Sequence, residues 1–127
     1  MPADPMIARL LLRGSALYWG VVGAVALLSP RTAVAGLKSR PTAFDAFTSR
    51  TIGATLITVA IANWSATPGC GILLANLVLN SVLGGVDLAA IANGTIDDNA
   101  WPGVAVHGGL AAAFAAALRT RTRPQVG

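Results

Sequence analysis

The sequence predicts an all-α integral membrane protein, a four-helix up-down-up-down bundle formed as one domain by residues 1–127. Three observations predict it. Four apolar stretches, 7–28, 46–64, 71–92 and 101–118, follow one another along the chain, each near the ~20 residues that a helix needs to cross hydrocarbon. Charged residues make up only 11% of the chain, about half the share found in ordinary soluble domains. The connectors are short, which makes successive helices antiparallel neighbours.

Each break between spans has a physical cause. Ser29-Pro30 ends the first helix, because proline lacks an amide donor and clashes with the preceding turn. A polar connector follows, from Arg31 to about Pro41. Thr42-x-x-Asp45 has the form of a capping box, so the second helix is expected to start near Thr42. Thr67-Pro68-Gly69 makes a tight turn into the third helix. Asn93-Gly94 ends that helix, Asp97-Asp98-Asn99 can cap the fourth, and Pro102 fits in its first turn.

The N-terminus has a competing interpretation. Arg9 and Arg13, an apolar run, and Ala33-Val34-Ala35 before Gly36 have the layout of a secretory signal with a small-residue cleavage site. The apolar run is long for a signal core, however, and Arg31 stands between it and that site. The first span is therefore expected to be retained.

Charge and composition exclude several functions. The net charge of +4 arises from basic residues at span ends, as in membrane proteins anchored at head groups, and not from a folded basic face. Nucleic acid is therefore not an expected partner. Cys70 is the sole cysteine and His107 the sole histidine, which leaves no metal or haem ligand set; no cofactor is expected. Arg9, Arg13, Arg119, Arg121 and Arg123 lie at the termini, against Arg31, Lys38, Arg40 and arguably Arg50 on the other side. This excess places both termini in the cytoplasm and the protein in the cell membrane as a multi-pass chain. Small residues recur every fourth position as Gly108, Ala112 and Ala116, as Gly109, Ala113 and Ala117, and as Gly85 and Ala89. Such faces let helix backbones approach closely. Trp64 and Trp101 suit the interfacial belt, and Trp19 the span edge or bundle interior.

The functional signal lies in polar residues inside the spans. At about 100° per residue, Asn76, Asn80 and Asp87 fall within about 40° of one another on the third helix. Such a stripe is costly against lipid and is expected to face inward. Asp87 lies ~9 Å before the end of that helix, and His107 ~9 Å into the antiparallel fourth. Arg50 lies ~12 Å into the second helix from the same membrane face, and Tyr18 reaches the level from the first. Asp87 and His107 are thus a candidate acid/base pair, with Arg50 as electrostatic support and Asn76, Asn80 and Tyr18 as substrate-orienting groups. The bland alternative is an ion pair that locks helix packing, with the asparagines as interhelical glue and Arg50 reaching back to the surface.

The chain resembles the small four-helix membrane proteins of the DoxX-like group. The resemblance rests on Arg50-x-x-Gly53, on Asp87 and on the run Trp101-Pro102-Gly103-Val104-Ala105-Val106-His107. Relatives often carry an acidic residue right after that arginine, where this chain has Thr51. The resemblance implies a four-helix bundle and, for some members, a role as accessory subunit of an oxidoreductase. The leading expectation is a cofactor-free membrane enzyme acting by proton transfer on a lipophilic small molecule, as an isomerase, cyclase or epoxide-opening enzyme. The alternatives are a non-catalytic accessory subunit and a small proton-coupled transporter. The expected partners are the lipid bilayer and the lipophilic molecule, with self-association into a homo-oligomer left open.

Overall fold

A computed structural model describes residues 5–122, so Arg123, one of the basic residues counted at the termini, lies outside the described residues. Their regular structure is helical throughout: α1 (Pro5–Leu28), α2 (Pro30–Ala35), α3 (Ala43–Ser65), α4 (Cys70–Ala92) and α5 (Trp101–Thr122), with a 3₁₀ turn at Asp98–Ala100 before α5. Three segments are long and apolar enough to cross a membrane: Met6–Leu28, Cys70–Ala92 and Asp98–Thr120. Of the four spans expected, these three qualify and the one expected at 46–64 does not. Helix α3 has the length, 23 residues, but its apolarity is diluted by Arg50 and several hydroxyl residues. Thr51, Thr55 and Thr58 return their hydroxyls to carbonyls four residues back. The helix thereby satisfies its own outward-facing hydroxyls.

The helix ends follow local chemistry. Thr42 caps α3 through the expected box: its hydroxyl accepts from the Asp45 amide, and the Asp45 carboxylate accepts from the Thr42 amide at 2.7 Å. The Thr42 hydroxyl holds the Asp45 carboxyl below its ordinary value, with the Thr42 amide and Lys38 adding to the effect. Ser29 does break α1, but Pro30 then opens the short α2, because a fixed φ and a missing N–H suit a first helical position. The stretch expected to be a plain connector therefore includes a helix, and its Val34 is buried. Gly94 ends the turn after α4 with φ of 72°, a left-handed conformation open to glycine. Asp97 does not cap α5 as expected. Its carboxylate accepts from the Ser39 amide at 2.9 Å and from the Ser39 hydroxyl, and its own amide donates to the Leu37 carbonyl. The α2–α3 and α4–α5 connectors are thus tied together at one end of the molecule.

The long helices pack closely in two pairs, α1 with α3 and α4 with α5. Two apolar clusters join the pairs. Near one end, Ala8 and Leu12 of α1 meet Leu73 of α4 and Phe114 and Ala117 of α5. Further along, Trp19 of α1 and Leu56 and Ala60 of α3 meet Leu79 and Leu83 of α4.

Helix backbones approach closely at Gly23 of α1 and Gly53 of α3. A Cβ on Gly53 would lie 2.7 Å from the Gly23 carbonyl oxygen and 2.7 Å from the Leu27 nitrogen. Both atoms are backbone and cannot swing aside. Of the small-residue faces singled out on α4 and α5, that of Gly109, Ala113 and Ala117 buries Ala117 in the first apolar cluster, and the other two bring no backbones together. Gly108, Ala112, Ala116, Gly85 and Ala89 are exposed, and nothing lies within 4 Å of a Cβ placed on Gly85 or Gly108.

Two outcomes follow. Gly53→Ala should destabilise the protein by about 1–3 kcal/mol through overpacking, while Gly108→Ala should leave its melting temperature in detergent unchanged. The Asp45 cap, whose folded pKa is depressed, contributes stability above the ordinary carboxylate range near about 4. That contribution is lost as pH falls through the folded value. Asp45→Asn should flatten this acid limb of a thermal-melt pH series.

Candidate functional site

The inward face of α4 is polar as the sequence predicts. Asn76 and Asn80 are buried, and the Asp87 side chain keeps 32% of its surface exposed. Glycines flank His107 and Asp87. A Cβ on Gly84 would meet the His107 Cβ at 3.2 Å, and one on Gly103 would meet the Asp87 Oδ2 at 3.5 Å.

Asp87 and His107 come together. His107 Nε2 lies 3.6 Å from Asp87 Oδ2, and the imidazole is buried. On its other side, His107 Nδ1 lies 3.3 Å from Asn80 Oδ1. Tyr18 lies within electrostatic range of the Asp87 carboxylate. Trp19 stacks on the imidazole with ring centroids 5.4 Å apart, and Tyr18 meets Trp19 edge-on. The indole N–H of Trp19 is buried and has no acceptor among the described residues.

Arg50 does not join them. The buried face of α3 runs through Ser49, Gly53, Leu56, Ala60 and Asn63. Arg50 follows Ser49 directly and so points about 100° away from that face. It is exposed, and no ion pair links it to Asp87 among the described residues. Equal depth along antiparallel helices brings Asp87 and His107 level. For Arg50 depth is not enough, because azimuth decides.

Two residues that the sequence did not single out complete the seam. Asn63 of α3 and Asn76 of α4 form a reciprocal amide pair, each donating to the other's carbonyl oxygen at 2.8 Å. Asn63 also donates to the Ser15 hydroxyl at 3.2 Å, and Ser15 donates to Asn76 Oδ1 at 3.4 Å. Asn76 places its remaining proton on the Ile72 carbonyl. Asn80 donates to the Asn76 carbonyl at 2.8 Å. Asn76 therefore has no free donor for a substrate and acts as interhelical glue. An asparagine within an apolar helix is itself a signal, so Asn63 was detectable beside Trp64. Ser15 was not, since a lone helical serine can bond to its own backbone.

This network fixes the proton on His107. The Asn76 carbonyl accepts only, so it must face the NH₂ group of Asn80. Asn80 Oδ1 is then what His107 Nδ1 faces, and Nδ1 must carry a hydrogen to bond to it. Nε2 is left as the basic nitrogen turned toward Asp87. The 3.6 Å separation is an ion-pair distance, longer than a direct hydrogen bond.

An apolar cavity of about 540 Å³ lies between α1, α2, α3 and the α4–α5 connector, lined by residues including Val25, Val34, Ile52 and Ile96. Neither Asp87 nor His107 lines it. It reaches Val22 and Leu56, which pack against Trp19. Among the described residues no group of acidic, histidine or cysteine side chains is placed to hold a metal ion.

Comparison with known proteins gives no match: no family model, curated protein or solved structure is similar to this chain.

Because His107 is the only histidine, ¹⁵N-histidine labelling reports this site alone. The spectrum should show Nδ1 protonated in the neutral form, or both nitrogens protonated. Asn80→Leu should shift the neutral ring to the Nε2–H tautomer, while Asn80→Asp, which keeps an acceptor oxygen, should preserve Nδ1–H. An Nε2–H tautomer in the unaltered protein would contradict the assignment.

Proposed function

We propose that this chain is a multi-pass membrane protein, a four-helix up-down-up-down bundle with cytoplasmic termini, that performs cofactor-free acid/base chemistry on a lipophilic small molecule. The reaction class is isomerisation, cyclisation or epoxide opening. The observation that carries the proposal is the Asp87–His107 couple with the unpaired Trp19 indole N–H stacked beside it. Buried donors are nearly always paired, and one left unpaired beside a base is a place for a ligand oxygen.

In this scheme His107 Nε2 takes a proton from one atom of the substrate and Asp87, on the same axis, supports the charge that forms. Asn80 holds the imidazole in the tautomer that presents Nε2, and is a positioning residue rather than a substrate contact. Tyr18 and Trp19 offer hydroxyl and indole donors near the couple. The apolar cavity, one side-chain layer away across Val22, Leu56 and Trp19, supports a lipophilic substrate class. Arg50 has no part in the chemistry. Membership of the DoxX-like group remains a proposal resting on the motif resemblance.

A non-catalytic accessory subunit is the second reading. The saturated Ser15–Asn63–Asn76 network favours it, because those amides hold helices and nothing else.

Apolar-solvent extracts of cells expressing the protein separate the two. Acid/base catalysis predicts a product present with the unaltered chain and reduced roughly 10²–10⁴-fold in Asp87→Asn and His107→Gln. Both variants should retain the parent melting temperature in detergent. A scaffold predicts no chain-dependent product and a marked fall in melting temperature for the same substitutions.

A further inference from the structure

Arg50 is left unexplained by the couple, and its surroundings give it a different role. It lines an open groove of about 700 Å³ together with Arg31, Ser29 and Thr32. The groove lies where the end of α1, the short α2 and the first two turns of α3 meet. No acidic side chain lines it. Neither guanidinium has a carboxylate partner among the described residues. The nearest acid in sequence, Asp45, is engaged by Thr42 and Lys38 and lines the apolar cavity instead.

We infer that this groove binds the phosphate of an anionic phospholipid. Two guanidinium groups in one concavity match a phosphodiester, because each presents a planar fork of donors to its oxygens. A lipid is favoured over a free anion by the groove's apolar wall. Leu28 is 78% exposed and Phe47 65% exposed, and both line it. An acyl chain would cover them and a free phosphate would not. An anionic lipid is favoured over a zwitterionic one, because no carboxylate in the groove could receive a choline ammonium. The position fits as well. Arg50 lies seven residues inside α3, about 10 Å from its start, and its long side chain can run along the helix to head-group level. An arginine that counted against α3 as an apolar span becomes an anchor to the leaflet at the connector end.

The inference is independent of the Asp87 couple, and binding tests it without any activity. Native mass spectrometry of the intact protein in mild detergent would be run with phosphatidylglycerol, phosphatidylcholine and inorganic phosphate as probes. Phosphatidylglycerol should be retained in preference to phosphatidylcholine. Arg50→Gln and Arg31→Gln should each weaken its retention by about tenfold, as expected for the loss of one charge-assisted contact. Arg50→Lys should recover only part of the loss, and Arg9→Gln, at the opposite end of α1, should leave retention unchanged. Both groove positions are exposed, so the variants should keep the parent melting temperature. Equal retention of the two lipids, or no effect of either glutamine variant, would overturn the inference. Competition by inorganic phosphate as strong as by phosphatidylglycerol would reassign the groove to a free anion and would likewise reject the lipid.

Discussion

The arrangement depends on the reciprocal amide pair between Asn63 and Asn76. Helices α1 and α3 form one closely packed unit and α4 and α5 another. The amide pair is the direct polar link from α3 to α4, and Ser15 extends it to α1. Its value is specificity more than stability. Interhelical hydrogen bonds in membranes average only about 0.6 kcal/mol each, whereas an amide buried without a partner costs about 1–3 kcal/mol. Any slip of α4 by one turn would orphan both amides. The register that avoids this also places Asn80 and Asp87 one and three turns further along the same inward face. There the two residues meet the two ring nitrogens of His107.

That register explains which parts of the site were legible in the sequence. Asn76, Asn80 and Asp87 share an azimuth, so any packing that turns one inward turns the others inward. Asp87 and His107 lie equally far from a short connector, so depth alone brings them level. Arg50 passes the depth test and fails on azimuth. The information was present: Ser49, Gly53, Leu56, Ala60 and Asn63 repeat at helical spacing, and Arg50 falls outside that face. The misleading signal was a charged residue in an apolar stretch, which suggests burial. A long side chain two turns from a helix end has a cheaper solution at the surface. Asp97 misled in a related way. An acid before a helix suggests a cap, but the neighbouring connector offered two donors from Ser39.

Small residues carry a parallel lesson. Spacing alone could not separate Gly108-x-x-x-Ala112 from the position where backbones truly meet. At the α1–α3 crossing, each glycine is the only residue that fits, because the facing atom is a carbonyl oxygen within 3 Å of any added Cβ. On α5, Gly108, Ala112 and Ala116 face outward, and nothing lies within 4 Å of a Cβ placed on Gly108. A periodic pattern shows that close approach is allowed. Only a partner of matching shape makes it necessary, and that partner lies on another helix, outside the reach of any single-helix pattern.

The seam and the groove divide the polar residues by how their needs are met. Inside, every amide of the Ser15–Asn63–Asn76 network finds an internal partner, and Asn80 spends both of its groups on the Asn76 carbonyl and on His107. Such groups are committed to holding geometry. Among the described residues, the groups not committed in this way include the Asp87 carboxylate, partly exposed at the end of the seam, the Trp19 indole N–H, and the two guanidiniums of the outer groove. Function is therefore sought at these groups, because a group can act on a ligand only with hydrogen bonds or charge that the fold has not already used. By that criterion Asn76 has no group left for a substrate, and the Trp19 indole N–H is a donor left open to one in the proposed chemistry. Arg50 changes from a supporter of internal chemistry to a contact with the membrane.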